Sequence, residues 1–276
     1  MDVTLEIILE PGRTERNYWR DLWHYRELFQ VLAARDVAVR YKQTIIGIVW
    51  AILRPFLTMV IFTVIFSRLA KLPSEGEAPY ALMVLAGLLP WTFFSQALTD
   101  ASSSLISNSA LIGKVYFPRL IIPTATIVVS FVDLMISFAI MVVVMVWYQF
   151  PPSWHIFALP IFVLLAFLAS LGPSLWVTAL NVKYRDFRYV MPFIMQFGLY
   201  VSPVGFSSSM VPAKWRLLYS LNPIVGIIDG FRWSVLGGKS VIYWPGTALS
   251  LAVIVFFLWL GVRQFRKMEK TFADLI

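Results

Sequence analysis

Lys183, Arg185 and Arg188 crowd around Asp186 in the stretch Asn181-Val-Lys-Tyr-Arg-Asp-Phe-Arg-Tyr189, between two runs of almost uninterrupted apolar sequence. Residues of these types at this spacing make and break no bonds on their own. Their chemistry is electrostatic: they either fix the orientation of a membrane chain or form a docking element for a cytoplasmic partner. Groups suited to covalent chemistry are sparse. No GxxxxGK[ST] loop exists to cradle nucleotide phosphates, and Gly237-Gly238-Lys239-Ser240 only imitates its tail, because Trp233 stands where the leading Gly is required. That stretch reads as a loop. His24 and His155 are the only histidines, no HExxH or dense carboxylate cluster occurs, and there is no cysteine. Disulfides, thiolate metal sites and Cys nucleophiles are excluded. A membrane metalloprotease or metal-dependent sugar-phosphate transferase is disfavoured.

The elements that hold these residues are set by composition. Of 276 residues, 59% are hydrophobic and only 14% are charged, against roughly 45–50% apolar in soluble domains. Mean hydropathy is +0.75. The chain reads as an integral membrane protein, and its formal charge of +8 as serving orientation and anionic-lipid contact rather than nucleic acid. The first stretch has no apolar h-region, so insertion is expected to begin with the first span rather than a cleaved signal.

In chain order, residues 1–43 mix Arg13, Arg16, Arg20, Arg26, Arg35, Arg40 and Lys42 with Trp and Tyr. This suits an N-terminal segment with an interfacial helix, although Arg35 and Asp36 interrupt the series Leu28, Val31, Leu32, Val39. A six-helix transmembrane domain follows over 44–276, with spans expected near 44–67, 80–99, 120–147, 156–180, 190–206 and 244–262. Arg54-Pro55 predicts a bend in span one, and Gly172-Pro173 one in span four. The stretch 68–79 reads as an exposed turn. Leu105, Ile112 and Tyr116, at helical spacing, predict a short surface helix between spans two and three. Asp133 falls near the middle of span three. There it is either a functional group or a buried structural hydrogen bond.

Leu217 to Leu236 is apolar enough to suggest a seventh span, yet Asn222, Pro223, Gly226, Asp229, Gly230 and Arg232 break it or load it with polar groups. Such backbone is tolerated at membrane depth only against protein or water, so a re-entrant helical hairpin over 215–236 is expected. Gly226 and Gly230 form a GxxxG pair that permits close packing there. Asp229 and Arg232, three apart, could pair with each other or across to a second subunit. A cytoplasmic tail covers 263–276. Six spans leave the larger share of Lys and Arg on one side, whereas a seventh would carry Arg263, Arg266, Lys267 and Lys270 outside. The fold class expected is therefore an all-α membrane protein with six transmembrane helices and both termini cytoplasmic.

The chain resembles the membrane subunits of ABC-2 type exporters for bacterial surface polysaccharides, the O-antigen permease group, with teichoic acid and capsule permeases related. The resemblance rests on Arg26 to Asp36 leading into Arg40 to Trp50 and Pro55. It continues through Gly87-Leu-Leu-Pro-Trp91, Asn108 to Pro118, Asn181 to Asp186, Leu221-Asn-Pro223 and Asp229-Gly-Phe-Arg232. It implies a homodimer in the bacterial inner membrane, paired with two copies of a cytoplasmic ABC ATPase that bind ATP and Mg. The permease itself then carries no cofactor, no metal and no catalytic residue. It further implies export of a lipid-linked polysaccharide such as O-antigen. Family roles fall on Arg35, Arg40, Lys114, Lys183, Arg185, Asp186 and Arg188 for coupling to the ATPase. Asn222, Pro223, Gly226, Asp229, Gly230 and Arg232 fall at an outer gate. Asp133, Trp91, Phe94 and Tyr200 are candidates for the channel, since sugar faces stack on aromatic rings. Alternatives are an ABC-2 exporter of teichoic acid, capsule, or a small lipid or drug, and, from another class, a membrane-embedded glycan-handling enzyme.

Overall fold

A computed structural model describes residues 18–42 and 45–272. The expected N-terminal segment's first part, residues 1–17 with Arg13 and Arg16, lies outside the described residues, as do 273–276. The described chain is helical in every regular element: α1 Tyr18–His24, α2 Arg26–Lys42, α3 Ile45–Phe62, α4 Tyr80–Ser107, α5 Ser109–Ile112, α6 Ile121–Trp147, α7 Leu159–Lys183, α8 Phe187–Val201, α9 Ala213–Tyr219, α10 Pro223–Val235 and α11 Trp244–Glu269. α3 widens into a π-helix over Thr63–Leu69, and Trp154–Ala158 forms a 3-10 turn before α7.

α4 is the axis of the bundle. In its most apolar 18-residue window 78% of residues are buried, against 17 to 44% in the other long apolar helices. It packs on α3, α6, α7, α8 and α10. The chain turns at two ends. One, here the proximal end, carries α1, α2, the 108–120 connection, the Tyr184–Asp186 turn and the end of α11. The distal end carries 70–79, 148–158 and 202–222. Each end has its own apolar core, and the proximal one joins Tyr18 and Leu32 to Leu105, Ile121, Leu175 and Phe265.

Five helices among the described residues are long and apolar enough to cross a membrane: Val49–Leu69, Tyr80–Ser107, Ile121–Trp147, Trp154–Lys183 and Trp244–Glu269. The expected fifth span over 190–206 is shorter than its apolar run. α8 has 15 residues, about 22 Å of rise, against a hydrocarbon core of roughly 30 Å. It stops at Ser202, which is extended at ψ 151° and precedes Pro203, and a residue before proline is disfavoured in helix.

Three further expectations are corrected. Span two does not end near 99 with a separate surface helix after it: α4 runs on to Ser107 with Leu105 buried, and only the single turn α5 stands apart. α2 does not keep one apolar face, because Leu32 is buried while Val31 and Val39 are exposed. The turn over 68–79 is not wholly exposed, because the Glu75 side chain is 12% exposed beneath Arg232.

Glycine makes the closest helix contacts. At Gly226 and Gly230, α10 lies against Ser250 of α11 and the Phe162 ring of α7. The 237–240 stretch is a turn after α10, with Gly237 and Gly238 at φ +75° and +76°.

Candidate functional site

The π-helix-ended α3, the axis α4, α6 and the short α8 enclose a cavity of about 580 Å³. Thr92, Ser95, Gln96 and Thr99, at i, i+3, i+4 and i+7 of α4, share one helix face and line it. Trp50 and Arg54 line it from α3, Ser130 and Asp133 from α6, and Gln196 from α8. Trp91 also lines it, held by packing. A Cβ at Gly198 of α8 would stand 2.5 Å from the Trp91 ring, so α8 approaches this indole only because residue 198 has no side chain. Most of the hydroxyls turn back onto their own helix: Thr99 Oγ1 donates to the Ser95 carbonyl at 2.7 Å, and Ser137 Oγ to that of Asp133 at 2.8 Å.

The proximal floor of the cavity is a three-helix ion pair. Arg40 of α2 donates from Nη1 to Asp100 of α4 at 3.0 Å, and its Nη2 stands 2.8 Å from Asp133 of α6 as an ion pair. Tyr41 donates its hydroxyl to Asp133, and Gln96 its amide to Asp100 at 2.8 Å. Asp133 lies 12 residues from the first residue of α6, about 18 Å along the helix. The last turn of α2 therefore reaches into the bundle rather than lying flat upon it. A carboxylate at this depth is costly unless paired, and a planar guanidinium can serve two acceptors at once. Burial, the largest influence, and the hydrogen bond to Asp133 both push the Tyr41 phenol up from its ordinary value, so it remains a donor.

At the distal end of the bundle α10 packs against α4, α7 and α11. Asn222 caps it by accepting from the Ile224 N–H at 3.2 Å, and Pro223 opens its first turn. Arg232 is fully buried, and its guanidinium donates to the carbonyls of Met83, Val204 and Phe206 at 3.2, 3.0 and 2.9 Å and to Glu75 at 3.2 Å. Asp229 accepts from Ser208 Oγ at 2.8 Å. Instead of the expected pairing with each other, Asp229 and Arg232 both hold the 202–212 loop, Asp229 through Ser208 and Arg232 through Val204 and Phe206, and Arg232 also holds the 70–79 loop through Glu75. Lys239 pairs with Glu77 across the same end.

The sequence-chosen residues separate accordingly. Asn222, Pro223, Gly226, Asp229, Gly230 and Arg232 are gathered in one capped helix. Asp133 and Trp91 line the cavity. Phe94 is buried beside Trp91 at 5.9 Å between ring centres, and Tyr200 is 61% exposed on α8. Lys183, Arg185, Asp186 and Arg188 are exposed at the turn between α7 and α8, where buried Asn181 donates to the Ser102 carbonyl at 2.8 Å. Arg35 and Lys114 are exposed at the same end, while Arg40 is committed to the cavity floor. Sequence reasoning missed Tyr41, Gln96, Asp100 and Glu75. The polar stripe from Thr92 to Thr99 was the signal that could have found the cavity wall.

The family described as ABC-2 type transporter matches residues 27–236. Over 259 residues, 93% of this chain and 98% of the relative, the sequence is 26% identical to the O-antigen export system permease protein RfbA of Myxococcus xanthus. It is 26% identical over 265 residues, 93% of this chain and 97% of the relative, to a protein of the same description from Klebsiella pneumoniae. The Inner membrane transport permease YadH of Escherichia coli (strain K12) is 25% identical over 202 residues, 68% of this chain and 76% of that protein.

Proposed function

Since this chain belongs to the ABC-2 type transporter family, we propose that it is the permease subunit of an exporter for a lipid-linked cell-surface polysaccharide. The observation that carries this reading is the extent of similarity to O-antigen export permeases, 93% of the chain, against 68% for YadH. The cavity supports it, because indole faces beside amides and hydroxyls suit sugar rings with their mixed apolar and hydroxyl surfaces.

In this reading α3, α4, α6, α7, α8 and α11 are the six spans, the proximal end is cytoplasmic, and α9 with α10 forms the re-entrant outer gate. Two copies of the chain assemble with two copies of a cytoplasmic ABC ATPase, which supplies ATP hydrolysis with Mg. The exposed Arg35, Lys114, Lys183, Arg185, Asp186 and Arg188 offer that subunit a charged docking surface at one end of the bundle.

The test is deletion of the gene followed by staining of surface glycan. Loss of long surface polymer with polymer retained inside supports export. Loss of polymer synthesis itself points to a glycan-handling enzyme, and unchanged surface polymer with altered lipid or drug efflux points to a small-molecule exporter.

A further inference from the structure

The floor of the cavity holds an unequal ion pair, and Arg54 of α3 lines the same cavity. One guanidinium serves two carboxylates, and those carboxylates belong to different helices, Asp100 to α4 and Asp133 to α6. All three side chains are partly shielded, with 36% of Arg40, 27% of Asp100 and 21% of Asp133 exposed. Like charges repel more strongly the less water lies between them. Arg40 therefore offsets this repulsion between α4 and α6, two helices that also pack on each other along the bundle. Tyr41 and Gln96 add hydrogen bonds but no positive charge.

Arg40 is carried by α2, which packs on α6 and buries Leu32 and Ala33 in the proximal core. α2 has a second mooring on α4, where Arg35 Nη2 donates to Asn108 Oδ1 at 2.8 Å. From Asn108 to Asp100 is eight residues, about 12 Å of helix rise, so the two moorings act as a lever with Arg40 at its inner tip. The side of α2 away from the bundle is open, with Val31 63% and Val39 65% exposed.

We propose that Arg40 sets the width of the cavity floor. Seated, it clamps α4 to α6; when α2 tilts away, Asp100 and Asp133 are left facing each other and drive the two helices apart, opening the cavity toward the proximal end. Arg40 is thus a positioning residue, acting through the spacing of two spans. What the opening admits rests on the export reading, whereas the helix movement itself is measurable without any substrate.

The native absence of cysteine permits a clean pair of spin labels at Ser107→Cys of α4 and Thr126→Cys of α6. Their separation is measured in purified protein in lipid nanodiscs. Arg40→Gln is expected to lengthen the mean separation by about 2 Å or more, the scale on which packed helices shift. Adding Asp100→Asn and Asp133→Asn to that variant is expected to restore the starting separation, because the repulsion is gone. An arginine that merely packs would not be rescued by removing its partners as well. An unchanged separation in Arg40→Gln, or a triple variant that stays lengthened, overturns the proposal. If Arg40→Gln fails to fold, Arg40→Lys and Asp133→Asn carry the test. The lysine, which keeps one positive charge between the carboxylates, must hold the separation, and so must the asparagine, which relieves the repulsion; a lengthened separation in either overturns the proposal. Normal surface glycan in a deletion strain would sink the export reading and leave these distances standing, so the two failures are distinguishable.

Discussion

Gly172 of α7 and Gly261 of α11 meet backbone to backbone, so that a Cβ at Gly261 would stand 2.1 Å from the Gly172 carbonyl oxygen. Neither helix can yield there without parting from the other. Gly261→Ala is expected to destabilise the bundle by about 1–3 kcal/mol through overpacking, read as a lower melting temperature in detergent. Gly113→Ala is the control. Its nearest contact would be the Ser109 carbonyl at 3.7 Å, and it should melt like the parent protein.

Arg232 and Glu75 should not be equivalent under substitution. Arg232→Met removes the buried donor to three carbonyls and a carboxylate, and is expected to cost about 3–5 kcal/mol, the range for breaking a buried pair. Glu75→Gln keeps an acceptor for the one bond it makes, and the cation retains three carbonyl partners and the charge of Asp229 nearby, so it should cost less. Equal melting temperatures for the two variants would contradict the central role of the arginine in seating α10.

The turn between α7 and α8 yields an opposite pattern, because its charges are exposed. Arg185→Glu and Arg188→Glu are expected to lower the yield of copurified ATPase and the export of surface glycan while leaving the melting temperature of the permease unchanged. Full copurification and export would return Lys183, Arg185 and Arg188 to a role in orientation alone.

Sidedness can be read with an impermeant thiol reagent at exposed positions. Single cysteines at Ser209 and Val241 are expected to label in intact cells, and one at Thr271 only after the membrane is opened. Labelling of Thr271 from outside would favour seven crossings and remove the gate assignment from α10.

The distal loop carries a modest pH dependence. The hydrogen bond from Lys239, and then its charge, hold the Glu77 carboxyl below its usual range. A carboxyl lowered in the folded state contributes above its ordinary value near 4.3 and loses that contribution as pH falls through the folded value. A spin label at Pro73→Cys should therefore gain mobility as pH falls below the ordinary carboxylate range, and in Lys239→Met should be mobile throughout.

The helices were legible wherever an apolar run and a helix coincide. α6 follows its run almost residue for residue. α8 does not, since the run Val190 to Phe206 continues past Ser202-Pro203 while the helix stops, and apolar length measures burial rather than helicity. Asp133 stood out because an acid inside a span demands a partner. That partner was hidden because Arg40 lay in a segment read as interfacial, and Asp100 in one read as the approach to a short surface helix. Glu75 was overlooked for a related reason: Pro73 and Gly76 announce a turn, and turn chemistry carries no information about depth. Distance along the chain concealed the rest, with Arg232 and Glu75 157 residues apart.

That separation also orders the birth of the molecule. Residues leave the ribosome at roughly 5–20 per second, so Glu75 and the Met83 carbonyl wait on the order of ten seconds before Arg232 exists to meet them. Tyr41 waits for Asp133 over 92 residues in the same way. Both ends of the bundle are thus finished late, the proximal floor once α6 has entered and the distal plug only when nearly the whole chain is made. A nascent chain halted before Arg232 would present Glu75 and three bare carbonyls at the distal end, a lesion that membrane quality control can recognise, and α10 is the piece that removes it.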